Sequence, residues 1–416
     1  MATDESVARE DAPVKVSPWG ALTYRDFQFF WAHGLFQGIA RNMRETLTYL
    51  LVYQISGSVL QVGLTGVFLG GPAIVFGLIG GALADSMDRK KLLIYTQGFT
   101  VLSAIGLVVL IFADAVQVWH LWGFTAFWSA VGILGRPAQR AYVPHLVPRS
   151  HVMNAITWHS ALNQGSGFVG PLMAGFIVAT VGMGWAYAVN TTILALALLA
   201  VAFIRAPGAP EGSPARASAR TIVEGLQFVR KTPVLLSAMV IDTGVMSVGF
   251  VRPLLPILAL DVYMVGEKGL GVMGSATAAG AILATVVLLR VGNVQRKGAA
   301  IVLAYAVYAT GLLLLGLAPW FLLALVALAL LGFMDVFAFT IKQSLIQIVA
   351  PDNFRGRSVA LSSILSVTGN SAGAVEMGAL ASIAGAPGAL IINSGVALGM
   401  TVVISLRWLG LWRYKD

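Results

Sequence analysis

The 416-residue sequence contains no cysteine, so it can form no disulfide, no thiolate metal site and no cysteine nucleophile, and thiol usage says nothing about its redox compartment. Charge is scarce as well. Asp, Glu, Lys and Arg make up 11% of the chain, against roughly a quarter in a soluble globular domain, while 57% is hydrophobic and the mean hydropathy is +0.82. Those values describe a polytopic membrane protein. There is no G-x-x-x-x-G-K-[ST] phosphate loop, which excludes ATP hydrolysis of the P-loop kind and leaves no sign of an ATPase subunit. The five histidines form no H-E-x-x-H or comparable cluster, so neither a metal site nor a membrane-embedded enzyme is expected. Residues 1–25 carry Asp4, Glu5, Glu10 and Asp11 without an apolar h-region; no cleavable signal peptide is expected, and the first span serves as the targeting signal.

What is present is a succession of apolar runs. The stretch Gly81-Ala-Leu-Ala-Asp85-Ser-Met-Asp88-Arg89-Lys90-Lys91 is a charged turn between two runs of about 20 apolar residues, each enough to cross a hydrocarbon core of roughly 30 Å. Roughly twelve such spans are expected, at 27–54, 60–84, 90–112, 118–141, 156–180, 185–204, 234–260, 270–290, 299–317, 320–343, 358–383 and 388–411. The connections on one side are short or Gly/Pro-rich and hold a single cation, Lys268. Most of the 27 Lys and Arg fall on the other side, which places that side and both termini in the cytoplasm. The formal charge of +9 therefore reads as topology, and no nucleic-acid partner is expected.

Arg89-Lys90 recurs as Arg296-Lys297, Pro148 as Pro351 and Gly170 as Gly373, at offsets of about 205 residues. The chain is accordingly divided into a cytoplasmic tail (1–26), a six-helix bundle (27–204), a cytoplasmic linker (205–233) holding an amphipathic helix at 219–229, a second six-helix bundle (234–411) and a short tail (412–416). Substrate is expected near mid-membrane between the bundles. Three soluble-protein motifs are set aside. Gly165-Ser-Gly167-Phe-Val-Gly170 follows no strand, Gly369-Asn-Ser371-Ala-Gly373 lacks a strand-turn-helix context, and the sequon at Asn190 lies too near the bilayer for a sugar. Rows such as Gly66-x-x-x-Gly70 and Gly170-Pro171 to Gly175 suit close helix packing.

The Gly81–Lys90 turn resembles the loop-2/3 motif of the major facilitator superfamily. Pro137-Ala-Gln-Arg140-Ala-Tyr-Val-Pro144-His-Leu-Val-Pro148 and Pro351-Asp-Asn-Phe-Arg355-Gly-Arg357 are similar to its enterobactin-exporter and macrolide-efflux branch. The resemblance covers nearly the whole chain. It departs at Ser86, where a cation is common, at Asp88, which replaces a glycine, and at Gly292, which replaces an acid in the second half. It implies an all-α protein of two pseudo-symmetric six-helix bundles, with spans one, four, seven and ten around the cavity. It also implies an inner gate of Gly81, Asp85, Arg89, Lys90, Arg140 and Arg355, in which Asp85 approaches the start of span eleven.

Charges inside the spans are the informative remainder, since each costs about 2.5 to 3.5 kcal/mol at mid-membrane unless paired or hydrated. Counting 1.5 Å per residue sets Arg41 roughly 20 Å, Glu45 roughly 26 Å and Arg252 roughly 27 Å from the cytoplasmic face, and Asp242 roughly 12 Å. Glu45 and Arg252 thus meet if both face the cavity and its outer side closes, with Arg41 competing for Glu45. Glu45, Asp242 and Asp335 are the carboxylates available for proton coupling. Arg41, Arg252, His33, Trp158 and Glu376 are candidates for the cavity, although His33, His159 and Trp158 read better as packing or cavity-wall residues than as specific ligands. The expected function is export of an amphipathic small molecule, drug-like or siderophore-like, from a bacterial inner membrane by alternating access, with the proton gradient as energy source, no cofactor, and a monomer as the working unit. Its direction rests on the resemblance. Lysophospholipid transport on the same fold is the alternative, and a non-transporting receptor stands as another class.

Overall fold

The computed structural model describes residues 17, 19–208, 219–408 and 412, with the backbone alone at 73–74, 77–86, 140, 160, 163, 219–223 and 353. Its regular elements are helices: α1 (Arg25–Ser56), α2 (Val59–Ser86), α3 (Arg89–Phe112), α4 (Val118–Tyr142), α5 (Val152–Val181), α6 (Met183–Ala202), α7 (Ala219–Lys231), α8 (Pro233–Gly249), the single turn α9 (Leu255–Ile257), α10 (Gly266–Val291), α11 (Lys297–Leu317), α12 (Phe321–Val349) and α13 (Asp352–Arg407). No strand occurs among the described residues. Eight described helical segments are long and apolar enough to cross a membrane. Exposed Leu102, Val109, Leu289, Leu303, Leu322 and Val403 give their outer faces the apolar surface that lipid requires. The α1 helix, with Arg25, Asp26, Arg41, Arg44 and Glu45, is not among the eight.

Local chemistry explains the boundaries. Tyr53 closes α1 by accepting the Gly57 N–H at 2.8 Å, and Gly57 adopts φ 60°, which glycine reaches without steric cost. Asp88 caps α3, its Oδ1 accepting the Lys91 N–H at 3.0 Å. The last helix, α13, is two helices separated at Gly385 (φ 74°, ψ 163°), two residues before Pro387, at the connection expected between 383 and 388. Buried Asn190 donates to the Ala40 carbonyl at 2.7 Å, joining α6 to α1.

The expected span 234–260 is not one rod. It stops at Gly249, resumes as a tight turn at Arg252–Leu254 and ends in a π-type turn at Leu258–Val262. Pro253 has no N–H to donate to the carbonyl of Gly249 four residues earlier. The Tyr308 hydroxyl of α11 donates to that carbonyl instead, at 2.8 Å.

The two sets of helices touch most tightly toward the face carrying Gly57 and Gly266, the cation-poor face. A Cβ added at Gly63 of α2 would lie 2.5 Å from the Ala374 carbonyl of α13, and one at Gly271 of α10 would lie 2.9 Å from the Pro171 carbonyl of α5. Small residues there let backbones approach as helices in lipid require. Gly170 packs on α1 beside Asn42 and Met43, and Gly373 packs on α8 beside Met246, so the G-x-G-x-x-G and G-x-S-x-G matches are packing surfaces. The α7 helix docks on α13 through Phe228 stacked on Phe354, with ring centroids 4.7 Å apart, and Glu224 accepting from Arg357 at 2.8 Å.

Candidate functional site

One face of α1 supplies much of the site. Arg41, Glu45 and Tyr49 stand four residues apart, hence one above another on a helix, and all three line a cavity of about 620 Å³. From α4 come Trp128 and Arg136, from α11 Tyr308 and from α12 Asp335. Arg44 reaches the same cavity with its guanidinium 4.2 Å from the Trp128 ring centroid, a cation–π contact, while the indole N–H of Trp128 is fixed by the Ser103 hydroxyl at 2.8 Å. The described lining carries four arginines (41, 44, 136 and 252) and two carboxylates, Glu45 and Asp335.

The structure brings Glu45 and Arg252 together. Arg252 Nη1 donates to both carboxylate oxygens of Glu45, at 3.0 and 3.1 Å. This clasp joins α1 to the segment after α8, and the break at Gly249 presents Arg252 to the cavity. Farther along α1 toward the cation-poor face, the Tyr53 hydroxyl donates to Asp261, and Gln54 Nε2 to Glu267 Oε1 at 3.5 Å. Arg41 does not pair with Glu45: among the described residues no carboxylate oxygen lies within 4 Å of its guanidinium.

Asp242 is placed differently from expectation. It lies outside the cavity lining, buried, and its Oδ2 accepts from Lys342 Nζ of α12 at 2.5 Å and from the Ser366 hydroxyl of α13 at 2.8 Å. Its Oδ1 accepts from the Tyr305 hydroxyl of α11 at 2.5 Å. Lys342 also donates to Ser366 at 3.0 Å, which closes the network. Asp242, expected as a proton-coupling carboxylate, is thus paired with Lys342, a residue absent from the expected site. Lys342 follows Asp335 by seven residues, two helical turns, at the end of the expected span 320–343. Asp335 itself opens onto the cavity.

Two further expectations are corrected. Trp158 is not in the lining but packs against Trp19 (centroids 4.8 Å apart) and Trp31 (6.2 Å). Glu376 is also outside it, accepting from Asn393 Nδ2 at 2.8 Å between the two segments of α13. His33 does line the cavity, buried, with its Nδ1–H donating to the Ala197 carbonyl at 2.9 Å; His159 lines it too.

Of the inner-gate residues, the side chains of Gly81, Asp85 and Arg140 lie outside the described residues. Arg89 donates from Nη1 to the Ala141 carbonyl at 3.2 Å and contacts His145, and its backbone N–H donates to the Gly208 carbonyl at 2.8 Å. Lys90 sits beside it in the first turn of α3, partly buried. Arg355 pairs within its own helix with Asp352, at 2.9 Å. Among the described residues no group of three His, Asp or Glu side chains converges as a metal site would require.

The model of the transmembrane secretion effector family matches residues 16–411. The enterobactin exporters EntS of Escherichia coli O1:K1 / APEC and of Shigella boydii serotype 18 are each 26% identical to this chain over 368 residues, 86% of either sequence. Among solved structures, a bacterial homolog of the human lysosomal transporter Spinster, in its inward-facing and unoccupied conformation, superposes with TM-score 0.71 at 13% identity and covers 94% of this chain and 99% of its own. A D-xylose–proton symporter does so with TM-score 0.67 at 15% identity, covering 96% and 98%. The architecture is that of major facilitator transporters.

Proposed function

This chain belongs to the transmembrane secretion effector family, a family of membrane transporters and not of enzymes, and on that premise we propose that it exports an amphipathic, siderophore-like or drug-like small molecule across the cytoplasmic membrane by alternating access in exchange for protons. In this reading two six-helix halves, twelve spans in all, rock about a cavity that opens alternately to the two sides. The observation that carries it is the Glu45–Arg252 clasp, which joins α1 to the segment after α8 in the wall of the cavity. The basic loops support reading the side opposite the cation-poor face as cytoplasmic, and on that reading the arrangement is the state closed outward.

The clasp also suggests the coupling. A carboxylate held by a guanidinium loses that hold when it is protonated, so a proton reaching Glu45 from outside loosens the contact and favours outward opening. Asp335, on the cavity wall, is the second titratable group available. Moving such an equilibrium from 1:99 to 99:1 takes about 5.5 kcal/mol, more than one partly hydrated pair supplies, so the clasp provides part of the bias and substrate the rest.

The test is transport by the full chain in proteoliposomes with an imposed pH gradient, using a fluorescent amphipath. Protein-dependent movement driven by the gradient is expected. Glu45→Gln should leave amphipath binding largely intact while abolishing its pH dependence and active accumulation. If Glu45→Gln keeps full proton-driven transport, the coupling passes to Asp335; if the wild-type chain moves nothing in either direction, the export reading fails.

A further inference from the structure

Of the three cavity arginines that the clasp does not use, Arg136 stands on α4, and Arg41 and Arg44 stand beside each other on α1. Arg41 extends into the cavity, exposed, with no carboxylate oxygen within 4 Å among the described residues. Arg44, three residues on and therefore adjacent on the helix surface, is laid against Trp128, and its Nη1 is buried without a hydrogen-bond partner. A buried donor without an acceptor is costly, and two neighbouring cations repel, so an anion placed between them relieves both defects. Glu45, the carboxylate on the same helix, has both oxygens engaged by Arg252. Trp128 lies against the Arg44 guanidinium, and Tyr49, Phe250 and Tyr308 are further aromatic side chains in the cavity lining. Guanidinium forks match carboxylate, sulfonate and phosphate oxygens two at a time, and flat aromatic walls match a flat aromatic body.

We infer that the cavity selects an anionic aromatic amphipath, with the anion seated at Arg41 and Arg44 and the apolar body against the aromatic wall. This deepens the export reading by naming the charge class of its substrate, and it rests on that reading. Arg41 and Arg44 act here as specificity residues, distinct from the coupling pair. Because Arg252 lies on the same cavity, release of Glu45 by protonation offers the anion a third guanidinium, so substrate and Glu45 compete for Arg252.

The test compares two probes with one aromatic body and opposite charge, 1-pyrenesulfonate and 1-pyrenemethylammonium, binding to the full chain in nanodiscs with empty-disc binding subtracted. The sulfonate should bind at least about tenfold more tightly, and Arg41→Gln should remove most of that preference while leaving the ammonium affinity unchanged or improved. Arg41→Lys should restore part of it. Arg44→Gln should act in the same direction; if it is not monodisperse on gel filtration, Arg41→Gln decides alone. Equal affinities, tighter binding of the ammonium, or an Arg41→Gln protein with the wild-type ratio overturns the inference. Proteoliposome efflux separates the two levels: protein-dependent movement of the ammonium without the sulfonate overturns the anion site and leaves export standing. Movement of neither probe counts against export, and the binding ratio still decides the anion site.

Discussion

Glu45–Arg252 and Asp242–Lys342 each pair a carboxylate with a cation, and each joins segments far apart in sequence, yet water reaches them very differently. Side-chain exposure is 20% for Glu45 and 48% for Arg252, but 4% for Asp242 and 1% for Lys342. The first pair spans the two halves of the molecule. The second, with Tyr305 and Ser366, lies wholly within the second half and has every strong partner on site. An ion pair that opens in each transport cycle must have its charges solvated when apart, which a cavity wall permits and a dry helix junction does not. On the export reading proposed above, the first pair is the one suited to opening and the second is the one suited to holding helices together.

The largest effect is expected at the buried pair. Lys342→Met leaves Asp242 charged and dry, a change that typically costs about 3 to 5 kcal/mol, so the thermal midpoint of the purified protein should fall sharply. Adding Asp242→Leu should recover most of the loss, because an apolar pair of similar volume is often neutral. A Lys342→Met protein with the wild-type midpoint would erase the distinction between the pairs.

At the clasp, stability should change little and transport much. The exposed Arg252 limits the pair to about 0 to 1 kcal/mol of folding stability. Glu45→Arg and Arg252→Glu should each reduce gradient-driven transport by about tenfold or more, since like charges then face each other across the junction. The double exchange should recover more activity than either single change; a double variant no better than the singles would show that contact between these two groups does not set the rate.

The smallest effect belongs to Arg357 and Glu224, which tie α7 to α13 and are 32% and 38% exposed. Arg357→Ala should lower stability by no more than about 0.2 to 1 kcal/mol while raising hydrogen exchange in α7. A loss as large as that of Lys342→Met would mean that the docked α7 belongs to the core of the second half.

Some of this was readable in the sequence. Apolar run length marked the helices, and the pairing of Glu45 with Arg252 followed from counting residues inward from the basic loops. That count assumed a straight rod, and it succeeded because both residues lie near the same depth, not because the segment is straight. The break at Gly249 had a signal in Pro253 and Pro256, but its stabilising partner, Tyr308, comes from a helix with no sequence mark of the contact. Lys342 stood near the end of an apolar run, where a lysine reads as one more interfacial cation; its meeting with Asp242, a hundred residues away, is a tertiary fact. Glu376 and Trp158 were placed by type and depth, which do not say which way a helix face turns.

The interruption after α8 has a mechanical consequence. A continuous helix resists rotation at any one residue, because each carbonyl is bonded to the turn above and the load is shared along the rod. Between Gly249 and Arg252 that sharing is cut; the Tyr308 hydroxyl takes the Gly249 carbonyl, and the Glu45 carboxylate takes the Arg252 guanidinium. The guanidinium of Arg252 is thus mounted on a short crank whose pivot is a few backbone dihedrals. Swinging it would work against the Glu45 pair, the Tyr308 contact and local packing, without requiring α8 to move as a whole. Tyr308, which holds the pivot, also forms part of the cavity wall, so the chamber and the crank share a component.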